Sequence, residues 1–128
     1  MYEDGSFTSR ETADHPPGCV ENHCNYCAAA HCTIAKGARH TPAEVVAAVR
    51  DNTPVPDAEL NALVTLVKEP VRRRGYAKDK TIQKFLAAGY KKEQVMELLL
   101  GIALKAISNC LDHISPTPLD PAFAAESK

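Results

Sequence analysis

The longest uninterrupted helical pattern in the chain lies between residues 91 and 115. It reads KKEQVMELLLGIALKAISNCLDHIS, contains no proline, and repeats its apolar residues every three to four positions. These residues form a wide stripe of Val95, Leu98, Leu99, Ile102, Ala106, Cys110 and Ile114, joined by Leu104, Ile107 and Leu111. A stripe of this width predicts a helix that is covered on more than one side. In so short a chain, it also indicates burial against other subunits.

Capping residues, prolines and glycines divide the rest of the sequence into shorter helices. Helix starts are predicted at the N-caps Asn22, Thr41, Asp57 and Asp79, and helix ends at Gly37, Gly75 and Gly89. Pro70 lies inside the third of these helices and is expected to kink or divide it. Since no convincing strand pattern occurs, we predict an all-α chain that folds as a single-domain bundle of about five to six helices.

Prolines also set the boundaries of the predicted domain. Residues 1–23 contain Pro16, Pro17 and Gly18 and lack a helical period, which predicts an irregular N-terminal arm. The helical domain is expected over residues 24–115. The remaining residues, 116–128, contain three prolines and are predicted to form a tail that cannot continue the long helix.

Cysteine is the unusual part of the composition. A domain of 128 residues buries roughly two-thirds of its unfolded surface and needs no disulfide, yet this chain has five cysteines. Because five is an odd number and no secretory signal begins the sequence, we expect a reducing, cytoplasmic location. The formal net charge of -1 gives no electrostatic footprint for nucleic acid. No run of about 18 apolar residues indicates a membrane partner.

Three residues of the first predicted helix carry the chemistry. Cys24, Cys27 and His31 are three and four residues apart, and these steps place neighbours on one helix face. A thiol becomes reactive as its thiolate, which a helix N-terminus favours at Cys24 and a protonated His31 favours at Cys27. Two thiols at this spacing can also close a disulfide, so that one resolves a sulfenic acid formed on the other. The spacing of Cys24, Cys27 and His31 therefore predicts a two-cysteine redox site.

A zinc half-site is the main alternative reading of the two cysteines, with His31 as a third ligand. The fourth ligand would come from Cys19, His23, Cys32, Cys110 or His113. However, the sequence has no second CxxC or HxxxH pair, so we predict neither a metal nor another cofactor.

The other three cysteines receive different predictions. Cys32 and Cys110 are expected to be inert, buried residues, because free cysteine is among the most buried residue types. Cys19 has two open interpretations, a spare surface thiol or a third partner in thiol exchange.

Three segments together resemble a known family. They are CNYCAAAHCTIAKG, LAAGYKKEQVMELLLGIALKAISNCLDHIS and TPLDPAF, within about residues 20–124. They are similar to the carboxymuconolactone decarboxylase-like superfamily, and more closely to its alkylhydroperoxidase D-like, thiol peroxidase branch. The resemblance implies an alkylhydroperoxidase D-like helical fold and a homo-oligomer, trimeric or hexameric. It also implies a hydroperoxide substrate and a dithiol reductant of thioredoxin-like or lipoyl type.

By this resemblance, Cys24, Cys27 and His31 are the catalytic residues, with Cys27 attacking the peroxide and Cys24 resolving. Exposure at a helix end would instead favour Cys24 as the attacking thiol, so the order stays open. The family also uses a glutamate about a dozen residues before the first cysteine, where this chain has Thr12 with Glu11 beside it. Glu11 takes this role, or Glu21 replaces it, or the proton relay is missing.

These observations predict a thiol-dependent peroxidase or disulfide oxidoreductase. Two alternatives stay open within the same family: a non-catalytic module, either metal-binding or a structural oligomer, and a carboxymuconolactone decarboxylase-type enzyme. The decarboxylase branch typically lacks the cysteine pair, which makes its chemistry the weaker expectation.

Overall fold

The computed structural model describes residues 6–8 and 15–128, and these residues form helices and turns without a strand. The α-helices are α1 (His15–Glu21), α2 (Asn25–Gly37), α3 (Ala43–Arg50), α4 (Ala58–Arg72), α5 (Asp79–Ala87) and α6 (Lys92–Ile114). A 3-10 helix, Pro121–Glu126, follows them. The predicted all-α class is confirmed, and α6 ends before the prolines of the C-terminal segment.

Helix α1 lies where the sequence predicted an irregular arm, so that prediction was wrong for residues 15–21. Pro16 and Pro17 occupy the first turn, where backbone N–H groups have no partner within the helix and proline is tolerated. The helix contacts α2, α3, α4 and α6, and its Cys19 is fully buried. The arm therefore contributes to the bundle.

The start of α2 also differs from the prediction. Asn22 is not its N-cap, because the Asn22 N–H bonds to the Gly18 carbonyl and ends α1 instead. His23 then turns the chain with a φ of 57°, and Cys24 becomes the N-cap in an extended conformation. A cysteine thus holds the capping position, with its sulfur accepting the Cys27 N–H. Cys24 therefore lies at the boundary of α2 rather than inside the helix.

The remaining helix boundaries follow the predicted signals closely. Asp57 caps α4 by accepting the Leu60 N–H, as expected. At α3 and α5 the N-cap moves by one residue, to Pro42 in place of Thr41 and to Lys78 in place of Asp79. Pro70 does not divide α4, which continues to Arg72, since a proline near the end of a helix leaves few later turns to disrupt.

The main hydrophobic core lies between α3, α4, α5 and α6. Its largest fully buried side chains include Leu63 and Phe85, and Phe85 stacks on Tyr90 with a ring separation of 4.4 Å. The other buried members are mostly aliphatic: Val45, Ala48, Val49, Val55, Leu60, Val64, Leu66, Val67 and Leu98. This core holds α6 at its N-terminal half and leaves the C-terminal half to face α1 and α2.

The described residues cover helix α6 on one side only, so the predicted cover on a second side, by other subunits, stays a prediction. Its outer face exposes Met96, Leu99, Leu100, Leu104, Ile107, Leu111 and Ile114. Among the described helices, α6 alone is long and apolar enough to cross a membrane by length and composition, with a mean hydropathy of 1.4 in an 18-residue window. Charged residues interrupt this helix, so it contains no run of 18 apolar residues, and the expectation that the chain has no membrane partner stays a prediction.

Candidate functional site: a buried thiol cluster

Three cysteines meet where α1 turns into α2. The Cys24 N–H donates to the Cys19 carbonyl at 3.1 Å, and this tight turn brings the two residues together. Cys27 lies one turn into α2, where its N–H donates to the Cys24 sulfur at 3.4 Å, and the two residues come within 3.0 Å of each other. All three are free thiols in one buried cluster. Cys19 is therefore not a surface thiol, and its interpretation as a partner in exchange stays a prediction.

Helix α6 contributes a polar face to this cluster, which the sequence analysis missed. Lys105, Asn109 and Asp112 are four and three residues apart and so share one side of the helix. The Lys105 Nζ lies 2.9 Å from His31 Nε2, and the Cys24 thiol donates to Asp112 Oδ2 at 3.4 Å. The sequence does contain a signal for this face, because three polar residues at helical spacing interrupt the apolar stripe of α6.

Asn109 lies between these two contacts and is almost fully buried, with 1% of its surface exposed. Its amide is close enough to Cys19 to favour the thiolate of that residue slightly. Neither Nδ2 nor Oδ1 of Asn109 forms a hydrogen bond of normal geometry with the described residues. Because an unsatisfied buried amide is costly, Asn109 is a polar group held at the thiol cluster at the expense of stability.

His31 is neutral in this arrangement, and the expectation of a protonated His31 beside Cys27 was wrong. Burial, and then the positive charge of Lys105, lower the pKa of His31 to about 4. Because a lysine ammonium only donates hydrogen bonds, His31 Nε2 accepts from Lys105 and the ring proton resides on Nδ1. The histidine therefore offers a neutral N–H donor rather than a cation.

The thiols of Cys19 and Cys24 are protonated at neutral pH. Burial is the main cause, and it raises the pKa of Cys19 to about 12. Burial also raises the pKa of Cys24 far above its ordinary value, and hydrogen bonds with the Cys27 thiol and Asp112 add to this effect. The Cys27 N–H at the helix start acts in the opposite direction but is outweighed. The sequence analysis predicts that the N-terminus of α2 favours the Cys24 thiolate. In the structure this effect is too small to overcome burial, and Cys24 stays a thiol.

A cavity of about 310 Å³ opens beside the cluster. Its lining includes Cys19 and Cys24 but neither Cys27 nor His31, together with Val20, His23, Asn25, Ala28, Arg50, Asn52, Glu126 and Lys128. A small molecule in this cavity would reach the Cys24 side of the pair.

The C-terminal segment closes one wall of this cavity. Phe123 packs edge-on against Tyr26 of α2, with ring centroids 6.0 Å apart. Glu126 is buried at 7% exposure between the cations of Lys36 and Arg50, whose Nη1 lies 3.0 Å from Glu126 Oε2. The segment predicted to be a tail is thus attached to α2 by an aromatic contact and an ion pair with Lys36, and to α3 by an ion pair with Arg50.

The two cysteines predicted to be inert differ in the structure. Cys32 is fully buried against Ala35 and Val46, as predicted, and burial raises its pKa to about 11. Cys110 is exposed, so its predicted burial was wrong. It lies on the outer face of α6, which no other part of the described chain covers.

The candidate proton-relay glutamates are not placed at the cluster, and the described residues form no metal site there. Glu11 lies outside the described residues. Glu21 forms a two-pronged ion pair with Arg72, at 2.7 and 2.8 Å, and this pairing lowers its pKa. Within residues 6–8 and 15–128, no group of three or more His, Cys, Asp or Glu side chains is placed to hold a metal ion. The zinc alternative therefore has no donor set in this part of the chain.

Comparisons with known proteins add no relative to this picture. No protein-family model matches the sequence, and no curated protein is significantly similar to it. The resemblance to the alkylhydroperoxidase D-like branch accordingly depends on the motif residues, and the chemistry of the site depends on the geometry of its thiols.

Proposed function

We propose that this protein is a thiol-dependent oxidoreductase of the alkylhydroperoxidase D-like type that reduces hydroperoxides through Cys24 and Cys27. The observation that carries the proposal is the closeness of the two free cysteines at the start of α2, which come within 3.0 Å of each other while the Cys27 N–H donates to the Cys24 sulfur at 3.4 Å. A disulfide needs its sulfurs to approach to about 2.05 Å, so a pair already in contact closes with a small movement. The spacing and the contact together favour a redox pair over two inert cysteines.

In the proposed cycle, the Cys27 thiolate attacks one peroxide oxygen and breaks the O–O bond. The products are a sulfenic acid on Cys27 and, after protonation, an alcohol. The Cys24 sulfur then attacks the Cys27 sulfur, which forms the disulfide and releases water. A dithiol donor of thioredoxin-like or lipoyl type reduces that disulfide and is itself oxidised.

Two observations support Cys27 as the attacking residue, whereas the cavity beside the cluster reaches Cys24, so the order of attack stays a prediction. Cys27 is 8% exposed and Cys24 only 1%, so Cys27 is the more accessible to solvent. The raised pKa of Cys24 also keeps it protonated until the second step. His31 would act as a neutral hydrogen-bond donor, and Glu11 stays a prediction for the proton relay.

The test is peroxide-dependent oxidation of a dithiol donor by purified protein. Turnover is expected to fall at least about 1000-fold in Cys24→Ser and in Cys27→Ser, because each removes one sulfur of the pair. Cys32→Ser is the matched control, since Cys32 is an equally buried cysteine of α2 outside the cluster. Undiminished turnover in both pair variants would exclude the proposed cycle.

We further propose a second copy of this chain as the partner of the α6 outer face. Leu100, Leu104, Ile107, Leu111 and Ile114 are exposed and follow each other by four, three, four and three residues, the spacing of a coiled-coil seam. The only charged residue between positions 98 and 111 is Lys105, which faces His31 instead. An uncharged seam of this kind can pack against its own copy, which supports the homo-oligomer that the resemblance implies.

A cytoplasmic location and the absence of nucleic-acid and membrane partners complete the proposal. Free thiols in the redox pair suit a reducing compartment, and the net charge of -1 suits neither nucleic acid nor an anionic lipid surface. The polar residues of α6 contact the thiol cluster, which favours a helix packed on its own domain over one surrounded by lipid.

A further inference from the structure

The contact between Cys24 and Asp112 joins the redox pair to the end of α6. The Cys24 thiol donates to Asp112 Oδ2 at 3.4 Å across 88 residues of sequence. The second carboxylate oxygen, Oδ1, accepts the Thr117 N–H at 3.0 Å in the turn that follows the helix. The carboxylate therefore has one oxygen that fixes its position and one that faces the thiol.

Closure of the proposed disulfide requires a proton acceptor at this position. Cys24 is a buried, protonated thiol, and its sulfur must lose that proton as it bonds to Cys27. The hydroxyl of the Cys27 sulfenic acid leaves with a proton as water, so the proton count balances when a base receives the thiol proton and solvent returns one. A nearby base is needed because the thiol has little contact with water.

Three other candidate bases of the described residues are engaged elsewhere. Glu21 binds the guanidinium of Arg72, and Glu126 binds Lys36 and Arg50. His31 accepts a hydrogen bond from Lys105 at Nε2. Asp112 is the carboxylate in contact with the reacting sulfur.

We propose that Asp112 is a catalytic residue that accepts the Cys24 thiol proton as the Cys24–Cys27 disulfide forms. The inference depends on the proposed peroxidase cycle and assigns its second step. The resemblance implies a glutamate at this site, but Glu11 lies outside the described residues and Glu21 is paired with Arg72. Asp112 would supply the carboxylate instead. The Thr117 N–H lowers the pKa of Asp112, so the carboxylate is ionised at neutral pH.

The experiment separates the two steps of a single turnover. Wild-type protein and Asp112→Asn are mixed with one equivalent of hydrogen peroxide, and a cyclic 1,3-diketone traps sulfenic acid on Cys27 while mass spectrometry follows the disulfide. Asp112→Asn is expected to consume peroxide at the wild-type rate but to close the disulfide at least about 100-fold more slowly, the usual contribution of a general base. Trapped sulfenic acid should accumulate accordingly.

Two further variants control for structure. Asp120→Asn alters another capping aspartate, which accepts the Ala122 N–H outside the thiol cluster, and is expected to close at the wild-type rate. Asp112→Glu keeps a carboxylate and is expected to recover closure to within about 10-fold of the wild type, which also tests the assignment if Asp112→Asn does not fold.

The outcomes distinguish the inference from the proposed function. Wild-type closure in Asp112→Asn, or closure in a folded Asp112→Glu as slow as in Asp112→Asn, would overturn the role of Asp112 and leave the peroxidase cycle standing. A wild-type protein that forms no Cys24–Cys27 disulfide would overturn both.

Discussion

The two faces of α6 differ in almost every property. The inner face presents Lys105, Asn109 and Asp112 to the thiol cluster, and the outer face presents large aliphatic side chains with no charge among them between positions 98 and 111. The inner face is partly buried, and Asn109 almost fully so, although it is polar, whereas the outer face is exposed although it is apolar. Each face is therefore the reverse of what folding stability alone would favour, which indicates that both serve contacts beyond the stability of a single chain.

The sharpest difference between the faces is expected in cysteine reactivity. Cys19 and Cys24 are buried with raised pKa values, so alkylation near neutral pH should be at least about 1000-fold slower in folded protein than in guanidinium-unfolded protein. Cys110 on the outer face should show much weaker protection at protein concentrations below the dissociation constant of the proposed oligomer, where this face is uncovered. Pulsed alkylation with mass spectrometry measures each site. Equal protection of Cys19 and Cys110 would contradict the contrast between the two faces.

The outer face should respond strongly to charge. Leu104→Glu combined with Ile107→Glu is expected to raise the dissociation constant of the oligomer at least about 100-fold, because two carboxylates would be buried in an apolar seam. Light scattering across a concentration series measures the change. Tyr76→Glu is the matched control, since Tyr76 is an exposed large residue outside α6. If the wild-type protein is monomeric at micromolar concentration, the proposal that a second copy covers the outer face is contradicted.

The inner face should make the fold sensitive to acid. His31 has a pKa of about 4 in the folded chain against 6.5 when unfolded, so its stabilising contribution is complete above pH 6.5 and is lost as the pH falls to 4. The expected loss is about 2 kcal/mol in the free energy of unfolding, allowing for partial contact with solvent. Denaturant titrations at pH 7 and pH 4 measure it.

His31→Gln should reduce that acid-induced loss, whereas His113→Gln, at an exposed histidine of α6, should not. An unchanged acid response in His31→Gln would contradict the assignment to His31. Lys105→Met should also reduce the loss, because the lysine charge contributes to the lowered pKa of His31.

The smallest expected effect concerns Asn109. Asn109→Leu replaces a buried amide that lacks a normal hydrogen bond, so the free energy of unfolding should rise by about 1 kcal/mol. Donor-linked turnover should fall in the same variant if the amide serves the thiols. Asn61→Leu is the control, and it should lower the free energy of unfolding, because the Asn61 side chain accepts the Val55 N–H. A destabilised Asn109→Leu would show that the amide contributes to folding instead.

Much of the fold could be predicted because its signals are local. Asp57 caps α4 as expected, and Gly75 and Gly89 have positive φ values of 93° and 106° after the helices they follow. The spacing of Cys24 and Cys27 likewise predicted a contact that the structure contains. Such features depend on neighbours three or four residues away, which a sequence displays directly.

The remainder depends on contacts between distant segments. The prolines of α1 were interpreted as breakers, because their position in a first turn becomes clear only once the rest of that helix packs on the bundle. Burial and Lys105 keep His31 neutral, and Lys105 is 74 residues away from it. The predicted burial of Cys110 fails for a similar reason. An apolar pattern shows that a helix has an apolar face, but it does not show whether the same chain covers that face.

The central claim is that Cys24 and Cys27 form a working redox pair. Its most direct test is mass spectrometry of the protein before and after one equivalent of peroxide, with free thiols alkylated under denaturing conditions. The account predicts free thiols at all five cysteines before treatment and a Cys24–Cys27 disulfide afterwards, with Cys32 still free. Peroxide-treated protein in which Cys24 and Cys27 both remain alkylatable, or are oxidised without being joined, would contradict it.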